Sequence, residues 1–205
     1  MNSSIQVSEL WRYPVKSMLG EVCDEIELES RGVVGDRLFA VQDSDGYFGS
    51  GKDTRRFRKI DGLLSIQAKL CGEVPQVELP DGRRLSADDP IINGALSDYL
   101  GQPVQLVREA EISHLDDAPV HVVTCSSLDQ FSGIAPEGAA DARRFRPNIV
   151  LASENPFEEH TLLGKHVRIG HAELRFISPT ERCARGTVPQ AELLKGPHIL
   201  RYIAQ

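Results

Sequence analysis

Arg143-Arg144-Phe145-Arg146-Pro147-Asn148-Ile149-Val150-Leu151 joins a cationic turn to a continuous apolar run. The run, taken with Asn148, reads as a buried strand, because polar residues do not alternate with apolar ones as they do in a half-solvated strand. The three arginines ahead of it suit planar, bidentate contact with phosphate or carboxylate. Asn148 has two readings, a turn former at the strand start or part of the same anion site.

Outward from this strand, the chain reads as many short strands with few helices. Upstream, Val120 to Thr124 is a second buried strand and Ser126 to Ile134 a short helix. Downstream, Val167 to Ile169 and Ala172 to Ile177 form a hairpin turning at Gly170-His171, and Gln190 to Ala204 is a helical tail interrupted by Gly196-Pro197. The first half supplies strands at Ile5 to Arg12, Val22 to Leu28, Val33 to Gln42 (broken by Gly35-Asp36), Leu63 to Leu70, Gln76 to Leu79 and Val104 to Val107. Asp43 to Gly46 and Pro80-Asp81-Gly82 are hairpin-type turns. Asp88-Asp89-Pro90 opens a helix with an apolar face of Ile91, Ile92, Leu96, Tyr99 and Leu100, and Gly101 closes it. Residues 109–118 are acidic and unpatterned and read as a linker. The fold class is mainly β with helices, α+β in type, built on barrels or sandwiches.

The chain has 205 residues, enough for one large or two small domains. Its net charge of −7 argues against a nucleic-acid binder, whose footprint would be basic. The four cysteines, Cys23, Cys71, Cys125 and Cys183, are far apart and form no C-x-x-C, unlike a structural zinc site or a disulfide scaffold. Free thiols without a signal peptide predict a cytoplasmic protein. No apolar run approaches the ~20 residues of a membrane span.

Cys183 lies in Thr180-Glu181-Arg182-Cys183-Ala184-Arg185-Gly186. Flanking cations favour the thiolate, the form that attacks electrophiles and ligates metals; the alternative is a buried structural cysteine. Lys16 follows the stiff Pro14, and Asp36 stands beside Arg37, where its carboxylate can orient the guanidinium. Arg55-Arg56-Phe57-Arg58-Lys59 is either a solvated face or an anion site. Gly46-Tyr47-Phe48-Gly49-Ser50-Gly51-Lys52-Asp53 approaches a P-loop, but Asp53 replaces the hydroxyl that holds Mg²⁺ and no long helix follows. The histidines show no H-E-x-x-H spacing.

In order and spacing, Tyr13-Pro14-Val15-Lys16-Ser17, Gly35-Asp36-Arg37, Phe145-Arg146-Pro147-Asn148-Ile149-Val150 and Arg182-Cys183 resemble the MOSC family (molybdenum cofactor sulfurase C-terminal domain), nearest to bacterial relatives of the amidoxime-reducing component. The resemblance spans nearly the whole chain. It implies an N-terminal MOSC-associated β-barrel domain over 1–108 and a MOSC domain over 109–205. It implies a molybdenum–molybdopterin cofactor, with Cys183 as the metal ligand and catalytic residue. Lys16, Ser17, Arg37, Arg146, Asn148 and Arg182 would hold the pterin and its phosphate, with further contacts at Asp117 or Ala118. Pyridoxal phosphate binding accompanies the family as a group-level property. The implied reaction is reduction of a small N-hydroxylated substrate, with electrons from a separate donor protein. A Cys183 persulfide that carries sulfur, or a non-catalytic anion-binding barrel, are the alternatives.

Two departures stand out. Where better-known members have Asp-Pro-x-Thr-Gly this chain has Val188-Pro189-Gln190. The sequence ends at Gln205, where members continue into barrel-closing strands. An open sheet edge is therefore expected, covered by another segment or by a second copy in a homodimer.

Overall fold

The computed structural model describes residues 6–132 and 141–180. Along them run β1 (Gln6–Arg12), β2 (Glu21–Cys23), β3 (Leu28–Glu29), β4 (Gly32–Val33), β5 (Phe39–Asp43), β6 (Phe48–Ser50), β7 (Phe57–Lys59), β8 (Gln67–Cys71), β9 (Val74–Glu78), β10 (Arg84–Ser86), α1 (Ile92–Leu100), β11 (Val104–Arg108), β12 (Val122–Thr124), α2 (Cys125–Ser132), α3 (Ala142–Phe145), β13 (Ile149–Ala152), β14 (His166–Ile169) and β15 (Ala172–Arg175). The architecture is mainly β with a few short helices, as the pattern of short apolar runs predicts.

The strand after the arginine run is central. β13 pairs antiparallel with β1, Leu10 opposite Ile149, and parallel with β12, Val123 opposite Val150. With β2 beside β1, the order is β12-β13-β1-β2. A strand flanked on both edges reads as a near-continuous hydrophobic run, and Ile149, Val150 and Leu151 are all buried. Thus one sheet draws two strands from the start of the chain and two from its second half.

A second sheet, β11-β5-β6-β7, and a third, β10-β9-β8, enclose the main core with α1. Val15, Met18, Phe39, Val41, Ile66, Val77, Leu79, Ile92, Leu96 and Val104 meet there. Each large side chain buried in this way contributes about 1.5–3 kcal/mol before entropy is counted. The β5–β6 turn follows the Asp-Gly reading: Asp43 Oδ1 accepts from Asp45 N at 3.0 Å and Tyr47 N at 2.9 Å. α1 ends where expected, since Gly101 adopts the left-handed conformation (φ 68°) that closes a helix at least cost for glycine.

Several local expectations shift. The strand expected over Val22 to Leu28 stops at Cys23 and resumes as β3. Leu63–Ser65 is a 3₁₀ turn ahead of β8. α1 starts at Ile92; Asp89 caps the bend before it by accepting from Ile91 N at 3.0 Å, and Ile91 points to solvent. The arginine run contains one helical turn, α3, capped by Asp141, whose side chain accepts from Arg143 N at 2.9 Å. The expected helix over Gln190 to Ala204 lies outside the described residues.

Candidate functional site

After β1 the chain turns inward, and Tyr13, Val15, Lys16 and Ser17 are each at most 1% exposed. This segment runs beside residues 37–39. Arg37 N donates to Tyr13 O at 2.7 Å, Lys16 N to Phe39 O at 2.7 Å and Phe39 N to Pro14 O at 3.1 Å. Asp36 ties the two together: Oδ1 accepts from Tyr13 N at 2.7 Å, and Oδ2 pairs with Arg37 Nη1. The carboxylate beside Arg37 therefore orients it, as the sequence suggests.

Arg146 reaches the same place from the second half. Arg37 Nη2 donates to Arg146 O at 3.2 Å, and Arg146 Nη1 donates to Met18 O at 2.7 Å. Both guanidiniums lie against the Tyr13 ring, at 4.1 Å for Arg146 and 4.9 Å for Arg37. Burial drives the Tyr13 phenol well above its ordinary range, outweighing the two arginine charges, so it stays protonated. Its hydroxyl and the Ser17 Oγ are buried with no hydrogen-bond partner among the described residues.

The backbone is strained at these positions. Four non-glycine residues among those described have positive φ, and three are Ser17 (63°), Arg37 (51°) and Arg146 (54°). Each costs about 1–2 kcal/mol. Arg146 does so although Pro147 follows it, and proline pushes its predecessor toward extended backbone. Strain of this kind collects at binding and catalytic sites, where the surrounding structure enforces it.

Lys16 sits on the other side of Arg37. Its Nζ donates to His114 O at 2.8 Å, pairs with Asp116 Oδ1 at 3.1 Å and lies 4.0 Å from the Phe57 ring centre. Residues 109–118 are thus no linker but a strap fastened to the site. Glu109 takes two bonds from Arg31, at 2.6 and 2.7 Å, and one from His114 N at 2.6 Å. Burial raises the Glu109 pKa, but these donors and the Arg31 charge outweigh it and hold it at about 2. His114 is 1% exposed, with Nδ1 3.2 Å from Arg37 O and its ring on Phe48; burial pushes its pKa down to about 4. Arg56 clamps the strap by donating to Ser113 O, Leu115 O and Asp116 O at 3.1–3.4 Å.

Asn148 does structural work. Its Oδ1 accepts from His121 N at 3.1 Å and its Nδ2 donates to Trp11 O at 3.3 Å, joining β12 and β1 across β13. Arg37, Arg146 and Asn148 line a cleft of about 1560 Å³, together with Asp117, Ala118, Arg55, Arg56, buried Arg144 and, at one end, Thr180. Cys183 and Arg182, three and two residues past Thr180 in sequence, lie outside the described residues. The P-loop look-alike is a strand, β6, followed by a turn, although Lys52 does reach the cleft. Among the described residues no three His, Cys, Asp or Glu side chains are placed to hold a metal ion.

No local sequence pattern marks Tyr13, His114 or Glu159 for a role at the site. Glu159 is buried on the cleft wall and accepts from Thr124 Oγ1 at 2.7 Å and Ser127 Oγ at 2.9 Å, an arrangement no spacing motif announces. Lys16, Ser17 and Tyr13 are buried beside the cleft and do not line it. Chemically, the guanidiniums of Arg37 and Arg146 at a cleft suit a ligand carrying phosphate.

A family model described as the MOSC N-terminal beta barrel domain matches residues 4–88, and one described as the MOSC domain matches residues 109–201. The chain is 24% identical to the mitochondrial amidoxime reducing component 2 of Bos taurus, over 89% of this chain and 66% of that protein. It is 23% identical to the molybdenum cofactor sulfurase of Oryza sativa subsp. japonica, over 88% of this chain and 28% of that protein. The sulfurase of Danio rerio is 22% identical, over 99% and 30%. The chain thus spans just under two thirds of the first relative and under a third of the sulfurases. No helix among the described residues is long and apolar enough to cross a membrane.

Proposed function

We propose, from a chain that belongs to the MOSC family by its two consecutive domain matches, that it binds a molybdenum–molybdopterin cofactor and reduces small N-hydroxylated compounds. The observation that carries this is the convergence of Arg37 and Arg146 on one cleft, each with a strained backbone.

The residues present fit such a group. Its phosphate would meet the Arg37 and Arg146 guanidiniums on the cleft wall, with Ser17, whose hydroxyl has no hydrogen-bond partner among the described residues, in the buried segment behind them. Lys16 adds positive charge behind them. Asn148 holds the strands that carry Arg146. Arg182 would join the phosphate receptors, and Cys183 would ligate the metal as a thiolate, which a thiophilic centre prefers. When bound, the cofactor supplies the two-electron chemistry by which an N–OH oxygen leaves as water. The protein's own part is to bind, to orient and to keep the cleft positive. Electrons would come from a separate donor protein, in the cytoplasm. The proposed division is a barrel domain over 1–108 and a MOSC domain over 109–205.

The sulfurase relatives favour a second reading, in which Cys183 carries a persulfide and passes sulfur on. One experiment separates them. Wild type and Cys183→Ser are produced in a host that makes the cofactor. Molybdenum, cyanide-labile sulfur and reduction of an amidoxime by reduced viologen are then measured. Molybdenum and turnover in wild type, both lost in the variant, are expected. Equally negligible molybdenum in both overturns the oxidoreductase. Labile sulfur without metal selects the sulfur carrier.

A further inference from the structure

Tyr13 is 1% exposed and does not line the cleft, yet it touches both arginines that do. Its ring has further close neighbours. Trp11 stacks on it with centroids 6.2 Å apart and planes within 10°. Gly20 lies so close that a Cβ there would sit 2.3 Å from the ring Cδ1. Its backbone N–H is held by Asp36, which also holds Arg37.

Arg37 and Arg146 are 109 positions apart in sequence and belong to different halves of the chain. Arginine side chains are flexible, and fixing one on binding costs affinity. A rigid aromatic face beneath two guanidiniums fixes them beforehand, through cation–π attraction that strengthens away from water. Both arginines have left-handed backbones, and both guanidiniums rest on this one ring.

We propose that Tyr13 is a positioning residue, a platform whose ring pre-aligns Arg37 and Arg146 into a single receptor for a phosphate group. The role belongs to the ring and not to the hydroxyl, which has no hydrogen-bond partner among the described residues. It rests on the anion-site reading of the cleft given above.

The probe is inorganic phosphate, titrated into the full chain prepared in a host that lacks the cofactor. The arginine Nε–H and tyrosine ring resonances are followed by NMR. In wild type, Arg37, Arg146 and the Tyr13 ring should shift together with one dissociation constant. Tyr13→Phe keeps the ring and should bind within about twofold of wild type, whereas Tyr13→Leu should bind on the order of tenfold more weakly. Equal affinity in Tyr13→Leu and wild type overturns the platform alone. So does a loss in Tyr13→Phe as large as in Tyr13→Leu, because it moves the role to the hydroxyl. If Tyr13→Leu fails to fold, the wild-type titration still decides: a Tyr13 ring that stays still while both arginines shift overturns the platform. No phosphate-dependent shift at either arginine in wild type overturns the anion site, and the platform with it.

Discussion

Replacing Ser17 by glycine should make the protein more stable and less able to hold its ligand. Ser17 has φ 63°, a conformation that costs an ordinary residue about 1–2 kcal/mol and glycine almost nothing. Its hydroxyl is buried without a hydrogen bond among the described residues, a desolvation cost of about 1–3 kcal/mol. Against these gains stands the greater freedom of glycine in the unfolded chain, about 0.5–1 kcal/mol. The balance is a gain of about 1–4 kcal/mol for Ser17→Gly. Urea unfolding of the cofactor-free protein measures it. At a slope of about 2 kcal/mol per molar, the midpoint should rise by roughly 0.5–2 M with the slope unchanged. Ser17→Ala separates the contributions, since it removes the hydroxyl but keeps the strained backbone, and should fall between the two. In a cofactor-making host Ser17→Gly should carry less molybdenum than wild type. A midpoint equal to or below that of wild type would refute the reasoning, because neither strain nor an unmet hydroxyl would then be present at Ser17.

Acid should weaken the fold earlier than carboxylates alone would dictate. The unfolded chain protonates His114 below its ordinary 6.5, whereas burial denies the folded chain that proton until about pH 4. Stability therefore falls as pH drops from 6.5 to 4, by about 2 kcal/mol between pH 7 and 5. Glu109, held at about 2 by Arg31 and His114 N, adds a second loss as pH falls from 4.5 to 2. Urea midpoints that are flat between pH 7 and 5, or no flatter in His114→Gln than in wild type, would contradict this. Gly20→Ala should destabilise by about 1–3 kcal/mol, as overpacking does, because its Cβ would meet both the Tyr13 ring and Arg12 O at 2.6 Å. Thermal melts check the cost. Phosphate binding should weaken alongside, and a variant as stable as wild type would mean that the ring can move aside.

The short apolar runs, the Asp-Gly turns and the helix closed by Gly101 were legible because each rests on a local signal of periodicity or φ preference. Residues 109–118 were misread as a linker because what fastens them is remote: Arg31 holds Glu109 from 78 positions away, and Lys16 holds His114 O from 98. No local pattern encodes such contacts. At the site, charge and residue type drew attention to Lys16, Arg37 and Arg146, and the structure buries all three. The strained backbones and the shared aromatic face are products of tertiary packing. A tyrosine beside a proline gives no sign that two distant arginines will rest on it.

The pairing of β1 with β13 also sets a timetable. Gln6–Arg12 finds that partner about 140 residues later in the chain, a separation that slows folding because loop closure precedes any gain from the contact. At about 5–20 residues per second on the ribosome, β1 waits roughly ten to thirty seconds before β13 emerges. During that interval the edge of β1 that β13 will cover is open to other chains. A newborn chain is thus most prone to misassociation before its second half exists, and Arg37 meets Arg146 only after that half has been made.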